Sequence, residues 1–112
     1  MPLADLQNLP NSAEDWSVWS YSHRDQHNLI RNAIQASYGT NLNFYPIDPI
    51  DLSDFDIFLN YNQQAHDDMN GVLGTRGSDL LQLDYKDKRQ LQAWIYLHYQ
   101  EHYTASAALK VT

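Results

Sequence analysis

The chain contains no cysteine, so neither a disulfide framework nor a cysteine-ligated zinc site is available to it. It has 7 lysine and arginine residues against 14 aspartate and glutamate residues, and the basic residues do not cluster. Direct binding to nucleic acid needs a basic surface, so that class of function is not expected. No stretch approaches the ~20 apolar residues of a transmembrane helix, and residues 1–5 lack the features of a signal peptide. We therefore expect a soluble protein without a targeting segment.

Hydrophobic residues make up 43% of the chain and charged residues only 19%. Such a composition is typical of a folded protein and not of a disordered one. With 112 residues, the chain is long enough for one core but not for two. We expect a single domain that covers residues 1–112.

Three segments share one pattern, in which an aromatic residue is followed after four residues by His or Asn and after four more by His. The copies are Trp19, His23 and His27, then Phe58, Asn62 and His66, and finally Trp94, His98 and His102. A spacing of four places the three side chains of each copy on one face of an α-helix. The pattern therefore predicts three similar helices.

The similarity extends upstream of each helix. Ser12, Asp51 and Asp87 lie at equivalent positions, and all three are preferred N-cap residues. An extended segment with scattered apolar residues precedes each of them. We predict a triplicated unit of arm, cap and helix, with repeat units at about 1–38, 39–74 and 75–112.

The sequence thus predicts an all-α fold, a three-helix bundle with extended connecting arms. The helices are expected at about 13–38, 52–73 and 88–108, and Gly39 and Gly74 are expected to end the first two. Gly71 lies inside the second helix, where we expect close packing against a neighbouring backbone. The connections are long enough for parallel helices, but an up-down-up order is commoner for sequential helices, so both remain open.

All five histidines occupy the polar positions of the pattern, and Asn62 fills the sixth. We predict that these side chains form a structural polar layer, in which neutral imidazoles exchange hydrogen bonds with one another and with neighbouring groups. The members are His23, His27, Asn62, His66, His98 and His102. This interpretation assigns no metal and no cofactor to the chain.

The alternative is a metal-binding bundle, because histidines four residues apart present two imidazoles on one helix face to zinc, nickel, copper or iron. In length and histidine content the chain resembles hemerythrin-like oxygen carriers. Such sites also need carboxylates on the inner face, whereas Asp25, Asp67, Asp68 and Glu101 are expected beside the histidine face.

Catalysis is not expected. The order of His27, His66-Asp67 and Asp84 or Asp87 resembles that of metal-dependent phosphohydrolases on helical scaffolds, but the repeat already accounts for both histidines. The sequence has no Gly-rich phosphate-binding loop, no motif that would activate a Ser or Cys nucleophile, and no evident general-base pair.

Four segments are similar to small proteins found among the structural genes of tailed bacteriophages. They are residues 16–27 (WSVWSYSHRDQH), 45–49 (YPIDP), 66–74 (HDDMNGVLG) with Asp79 and Leu80, and 90–102 (QLQAWIYLHYQEH). The resemblance implies a non-enzymatic protein of the virion: a head-to-tail connector or completion protein, a tail component, or a capsid decoration protein. The implied partners are portal, tail or capsid proteins, with multiple copies in each particle and no direct contact with nucleic acid or membrane.

A Leu-rich N-terminal arm and several tyrosines are suited to contacts with other proteins. From these features we expect Leu3, Leu6, Tyr99 and Tyr103 to contribute to a protein interface.

Overall fold

The computed structural model describes residues 5–42, 55–75, 77, 80–82, 84 and 86–110. Three α-helices account for most of them: α1 (Ala13–Tyr38), α2 (Phe55–Leu73) and α3 (Lys88–Leu109). A short 3₁₀ turn, Leu80–Gln82, lies between α2 and α3. The described residues include no strand, so the predicted all-α three-helix bundle is confirmed.

Side chains and glycines define the helix ends. Ser12 Oγ accepts a hydrogen bond from the backbone N–H of Asp15 at 3.2 Å, and the Asp87 carboxylate accepts one from Arg89 N–H at 2.9 Å. These two residues are the N-caps of α1 and α3, whereas the third predicted cap, Asp51, lies outside the described residues. After α1 and α2, Gly39 and Gly74 adopt φ values of 66° and 69°, a left-handed conformation that glycine tolerates without strain.

Gly71 is exposed on α2. A Cβ atom placed on it would meet no atom within 4 Å. The expectation that a neighbouring backbone packs closely here is therefore wrong, and the glycine faces open space instead.

The three helices run parallel and in register. Equivalent residues of the pattern meet at a constant offset, which is 75 between α1 and α3 and 36 between α2 and α3. At the offset of 75 residues, His23 contacts His98 and His27 contacts His102. At the offset of 36 residues, Phe58 contacts Trp94 and Asn62 contacts His98. Parallel helices keep the difference between contacting residue numbers constant, whereas antiparallel helices keep the sum constant. The bundle is therefore parallel, and the commoner up-down-up order does not occur.

Side chains from equivalent positions of the sequence pattern lie in layers along the bundle. The rings of Trp19, Phe58 and Trp94 form a nearly equilateral triangle, with centroid distances of 5.8, 5.8 and 5.9 Å. Together with Trp16, Phe55 and Leu91 they belong to one apolar cluster. A second cluster, Ile30, Ile34, Met69 and Ala105, lies further along the helices. Residues at equivalent positions of the sequence repeat therefore lie in the same layer. That the three helices descend from one triplicated segment stays a prediction.

Residues just before α1 pack onto the bundle. Leu6 is completely buried in the apolar cluster that contains Trp16 and Trp19. Ser22 Oγ, on α1, donates a hydrogen bond to the Asp5 carboxylate at 2.7 Å. The arm therefore lies along its own bundle, and the Leu6 side chain is not exposed for contact with a partner. Leu3 lies outside the described residues.

The 3₁₀ turn also packs against the bundle. Leu80 is completely buried in the cluster of Trp19 and Trp94, and its backbone N–H donates to Gln63 Oε1 at 2.9 Å. Within the described part of the chain, no helix combines the length and apolarity needed to cross a membrane.

Candidate metal centre

Five histidine side chains converge in the interior between the two apolar clusters. They are His23 and His27 on α1, His66 on α2, and His98 and His102 on α3. One ring nitrogen from each residue lies within 4.8 Å of the other four. The histidines of α2 and α3 are 0% exposed and those of α1 are 7% exposed. The histidine-rich core predicted from the sequence is therefore confirmed, and it is shielded from water.

Two pairs of imidazole nitrogens approach each other between α1 and α3. The Nε2 atoms of His23 and His98 are 3.1 Å apart, and those of His27 and His102 are 3.2 Å apart. A hydrogen bond between two neutral imidazoles requires that one Nε2 carries a proton and the other does not. If instead all four Nε2 atoms are unprotonated, their lone pairs are directed into the same small volume.

Aromatic stacking sets the planes of two rings. His23 stacks on Trp19 at a centroid distance of 4.9 Å and 10° between planes, and His98 stacks on Trp94 at 4.6 Å and 12°. Each pair is four residues apart on one helix, the spacing at which side chains lie one above the other. The aromatic layer therefore forms a rigid base for the first layer of histidines.

Gln26 orients the imidazole of His102. Its Oε1 lies 2.7 Å from His102 Nδ1, and its Nε2 donates to Ser106 Oγ at 2.7 Å. An amide oxygen can only accept, so the proton of His102 lies on Nδ1. The Nε2 of the same ring then keeps its lone pair towards His27.

Glu101 lies against the imidazole of His66. The carboxylate is 5% exposed, and its Oε1 is 3.5 Å from His66 Nδ1. Asn70 Nδ2 donates to the same oxygen at 2.9 Å, and Thr75 Oγ donates to Asn70 Oδ1 at 2.8 Å. Residue 101 lies beside the histidine face, as expected, and it also faces His66 and Asn70 at the α2–α3 interface. Its carboxylate is consequently enclosed.

The other three carboxylates considered from the sequence, Asp25, Asp67 and Asp68, are exposed. Within the described part of the chain, Glu101 is the buried acidic residue at this centre. The site therefore combines five imidazoles with a single carboxylate.

Asn62 occupies the sixth position of the histidine layers. It is 4% exposed, and its Oδ1 lies 3.2 Å from His98 Nε2. This distance is the same as those between the paired histidine nitrogens. An amide oxygen thus lies beside the ring nitrogens at the position where the pattern would otherwise have a sixth histidine.

Several buried polar atoms at this centre have no hydrogen-bond partner among the described residues. They are both ring nitrogens of His66, Nδ1 of His98, Nδ2 of Asn62 and Oε2 of Glu101. The 3.5 Å between His66 and Glu101 is too long for a good hydrogen bond. A buried polar group without a partner costs about 1–3 kcal/mol, so internal hydrogen bonds do not satisfy the polar layer.

Burial keeps four of the five imidazoles uncharged at neutral pH. It lowers the pKa of His23 from 6.5 to about 3, with repulsion from His66 adding to the shift and a hydrogen bond with Asn62 opposing it. Burial is also the main cause that lowers the pKa of His27, His98 and His102 well below 6.5, and repulsion from neighbouring imidazoles adds to it. Neutral imidazole is the form that binds a metal ion.

The structure brings together all six side chains that the sequence pattern singled out. Sequence reasoning missed the outer groups Gln26, Glu101, Asn70 and Ser106. A signal was present, because residues 26, 65 and 101 each precede the second histidine of their copy. All three positions are buried.

The remaining predicted residues lie outside this centre. Tyr99 is half-buried and Tyr103 is exposed on α3, with ring centroids 6.2 Å apart. Comparison of the chain with models of protein families, with curated proteins and with solved structures finds no match.

Proposed function

We propose that the chain is a non-catalytic structural module in which one transition-metal ion holds three parallel helices together. The observation that carries this proposal is the convergence of five buried imidazoles, of which both ring nitrogens of His66 and Nδ1 of His98 have no hydrogen-bond partner among the described residues. An ion at their centre would accept a lone pair from one nitrogen of each ring, and at His66 it would take the place of a missing hydrogen-bond partner. This is the metal-binding alternative raised by the histidine spacing, and it supplies an acceptor for the His66 lone pair that a metal-free polar layer leaves unpaired.

A structural role fits the enclosure of the centre. Structural metal sites are closed by protein ligands, whereas catalytic sites keep a position open for water or substrate. Here three of the histidines are 0% exposed, and the apolar clusters of Trp19 and of Ile30 lie on either side along the helices. Since the ligands come from all three helices, the free energy of metal binding would contribute directly to folding.

Elemental analysis of the purified protein tests this proposal. The chain is unfolded in chelator, refolded with zinc, nickel, copper or iron(II) under reducing conditions, and dialysed. We expect one ion per chain, and we expect His66→Gln to lose it while Gln64→Leu, an exposed change on the same helix, retains it. Folded protein that holds no stoichiometric ion after any of these treatments would refute the metal centre.

A role in a phage particle remains a second proposal, favoured by an aromatic stripe on α3. Tyr96 and Tyr103 are 60% and 53% exposed, and the half-buried Tyr99 lies between them on the same helix face. Tyrosine is enriched in protein interfaces because its ring is large, rigid and amphipathic. The stripe is therefore a candidate contact surface for a portal, tail or capsid protein.

Mass spectrometry of purified particles tests the second proposal. We expect the chain to be present in several copies, and the Tyr96→Ala, Tyr103→Ala double variant to be lost from particles although its metal content is unchanged. Absence of the wild-type chain from purified particles would exclude a virion role and leave the metal centre unaffected.

A further inference from the structure

The geometry points to a single six-coordinate divalent ion, bound by the five imidazoles and by the side-chain oxygen of Asn62. This inference rests on the proposed metal centre and adds the number of ligands, the sixth ligand and the class of ion. Nickel(II) and iron(II), which accept six ligands and bind imidazole, fit the site; zinc, which prefers four ligands, fits it less well.

Distances between ligand atoms distinguish the two geometries. With metal–nitrogen bonds of about 2.1 Å, an octahedron separates adjacent ligands by about 3.0 Å and opposite ligands by about 4.2 Å. A tetrahedron with the same bonds separates all ligands by about 3.4 Å. The two Nε2 pairs are 3.1 and 3.2 Å apart, and the five ligating atoms spread over up to 4.8 Å. Short adjacent distances combined with a wide total spread match a slightly expanded octahedron.

Asn62 completes this arrangement. Its Oδ1 is 3.2 Å from His98 Nε2, which is the separation expected of neighbouring ligands in the same octahedron. The side chain is buried, and its Nδ2 has no partner among the described residues. Ion binding requires the His98 proton to move from Nε2, where it faces this oxygen, to Nδ1. Rotation of the amide oxygen towards the ion is then not opposed by a hydrogen bond on the Asn62 nitrogen.

The charges at the site favour a divalent ion. Five imidazoles and an amide oxygen contribute no charge, and Glu101 is the buried carboxylate that contacts this ligand set, through His66. A trivalent ion would leave two positive charges uncompensated in a buried site, which is costly. A pair of ions would need bridging oxygens, but the Glu101 contact is with the Nδ1 side of His66.

Cobalt(II) and nickel(II) titrations of the metal-free protein test the inference. We expect one ion per chain, the weak visible absorption of six-coordinate cobalt(II), and X-ray absorption of the nickel form with five nitrogens and one oxygen near the metal. Intense absorption of four-coordinate cobalt(II), or two ions per chain, would overturn it. If neither metal binds and refolding with zinc, copper or iron(II) also leaves no ion, the proposed function itself fails, whereas binding in a four-coordinate form overturns only this inference.

Substitution of Asn62 identifies the sixth ligand. Asn62→Leu is expected to change the cobalt(II) spectrum to that of a five-coordinate or water-bound ion, whereas the exposed Gln64→Leu on the same helix leaves it unchanged. Asn62→Asp keeps an oxygen in place and adds a charge, so it should retain six ligands and shift the cobalt(II) bands. A wild-type spectrum from either Asn62 variant would show that this residue is not a ligand.

Discussion

Gln26 and Glu101 hold equivalent positions, one residue before the second histidine of their helices, and each lies against Nδ1 of a histidine on an adjacent helix. Gln26 Oε1 is 2.7 Å from His102 Nδ1, and Glu101 Oε1 is 3.5 Å from His66 Nδ1. Each outer group therefore directs the Nε2 of its histidine towards the centre. Ala65 occupies the same position on α2, so the second copy of the pattern lacks this contact. Outer partners of this kind set the tautomer and basicity of metal ligands.

Replacement of Glu101 should weaken metal binding without removing a ligand. Glu101→Gln keeps the shape and removes the negative charge next to His66, so we expect metal affinity to fall about 10–100-fold. A competition titration with a chromophoric chelator measures this change. Asp68→Asn, which removes an exposed charge from α2, serves as the matched control and should leave affinity nearly unchanged. Equal affinities for Glu101→Gln and wild type would argue against an outer-ligand role.

Replacement of Gln26 should destabilise the metal-free protein. Gln26→Leu leaves Nδ1–H of His102 buried without an acceptor, and we expect the free energy of unfolding to fall by about 1–3 kcal/mol. Urea denaturation monitored by circular dichroism measures this loss. Ser106→Ala removes only the contact between Gln26 and Ser106 and should cost less. A smaller loss for Gln26→Leu than for Ser106→Ala would contradict the assigned proton on His102 Nδ1.

The helices could be predicted because local signals define them. Ser12 and Asp87 initiate α1 and α3, Gly39 ends α1, and the apolar spacing gives the buried faces. The parallel order could not be predicted, because both connections are long enough for either direction. It follows from non-local packing, such as the contact of Trp16 with Phe55 near the N-terminal ends of α1 and α2.

The histidine core was predictable from the repeat, whereas for Gln26 and Glu101 the repeat gave an equivalent position but not their burial. Glu101 and Gln26 flank the histidine face and resemble surface residues until a neighbouring helix covers them. The incomplete pairing of His66 is likewise visible only when all surrounding atoms are placed. Sequence reasoning therefore favoured a satisfied polar layer, whereas the unpaired atoms lead us to propose a metal centre.

Acid should destabilise the metal-free protein. The pKa of His23 is about 3 in the folded chain against 6.5 for an unperturbed imidazole, and those of His27, His98 and His102 are also lowered. The unfolded chain therefore binds more protons, so stability is complete above about pH 6.5 and is lost progressively as the pH falls towards 3. Thermal melts in neutral and mildly acidic buffers measure the effect, and an unchanged melting temperature would indicate that the rings are accessible to water.

Metal removal should loosen the whole bundle, because the ligands join all three helices. A ligand that binds only the folded state stabilises it by about 4 kcal/mol at a free concentration of a thousand times its Kd. We therefore expect a chelator to lower the melting temperature and added nickel(II) to restore it. The His27→Gln, His102→Gln double variant removes the Nε2 pair that is 3.2 Å apart, and its melting temperature should respond to neither treatment. Wild-type melting that is equally insensitive to both would show that no ion links these helices, and the buried histidines would then have to be stable as an unfilled polar layer.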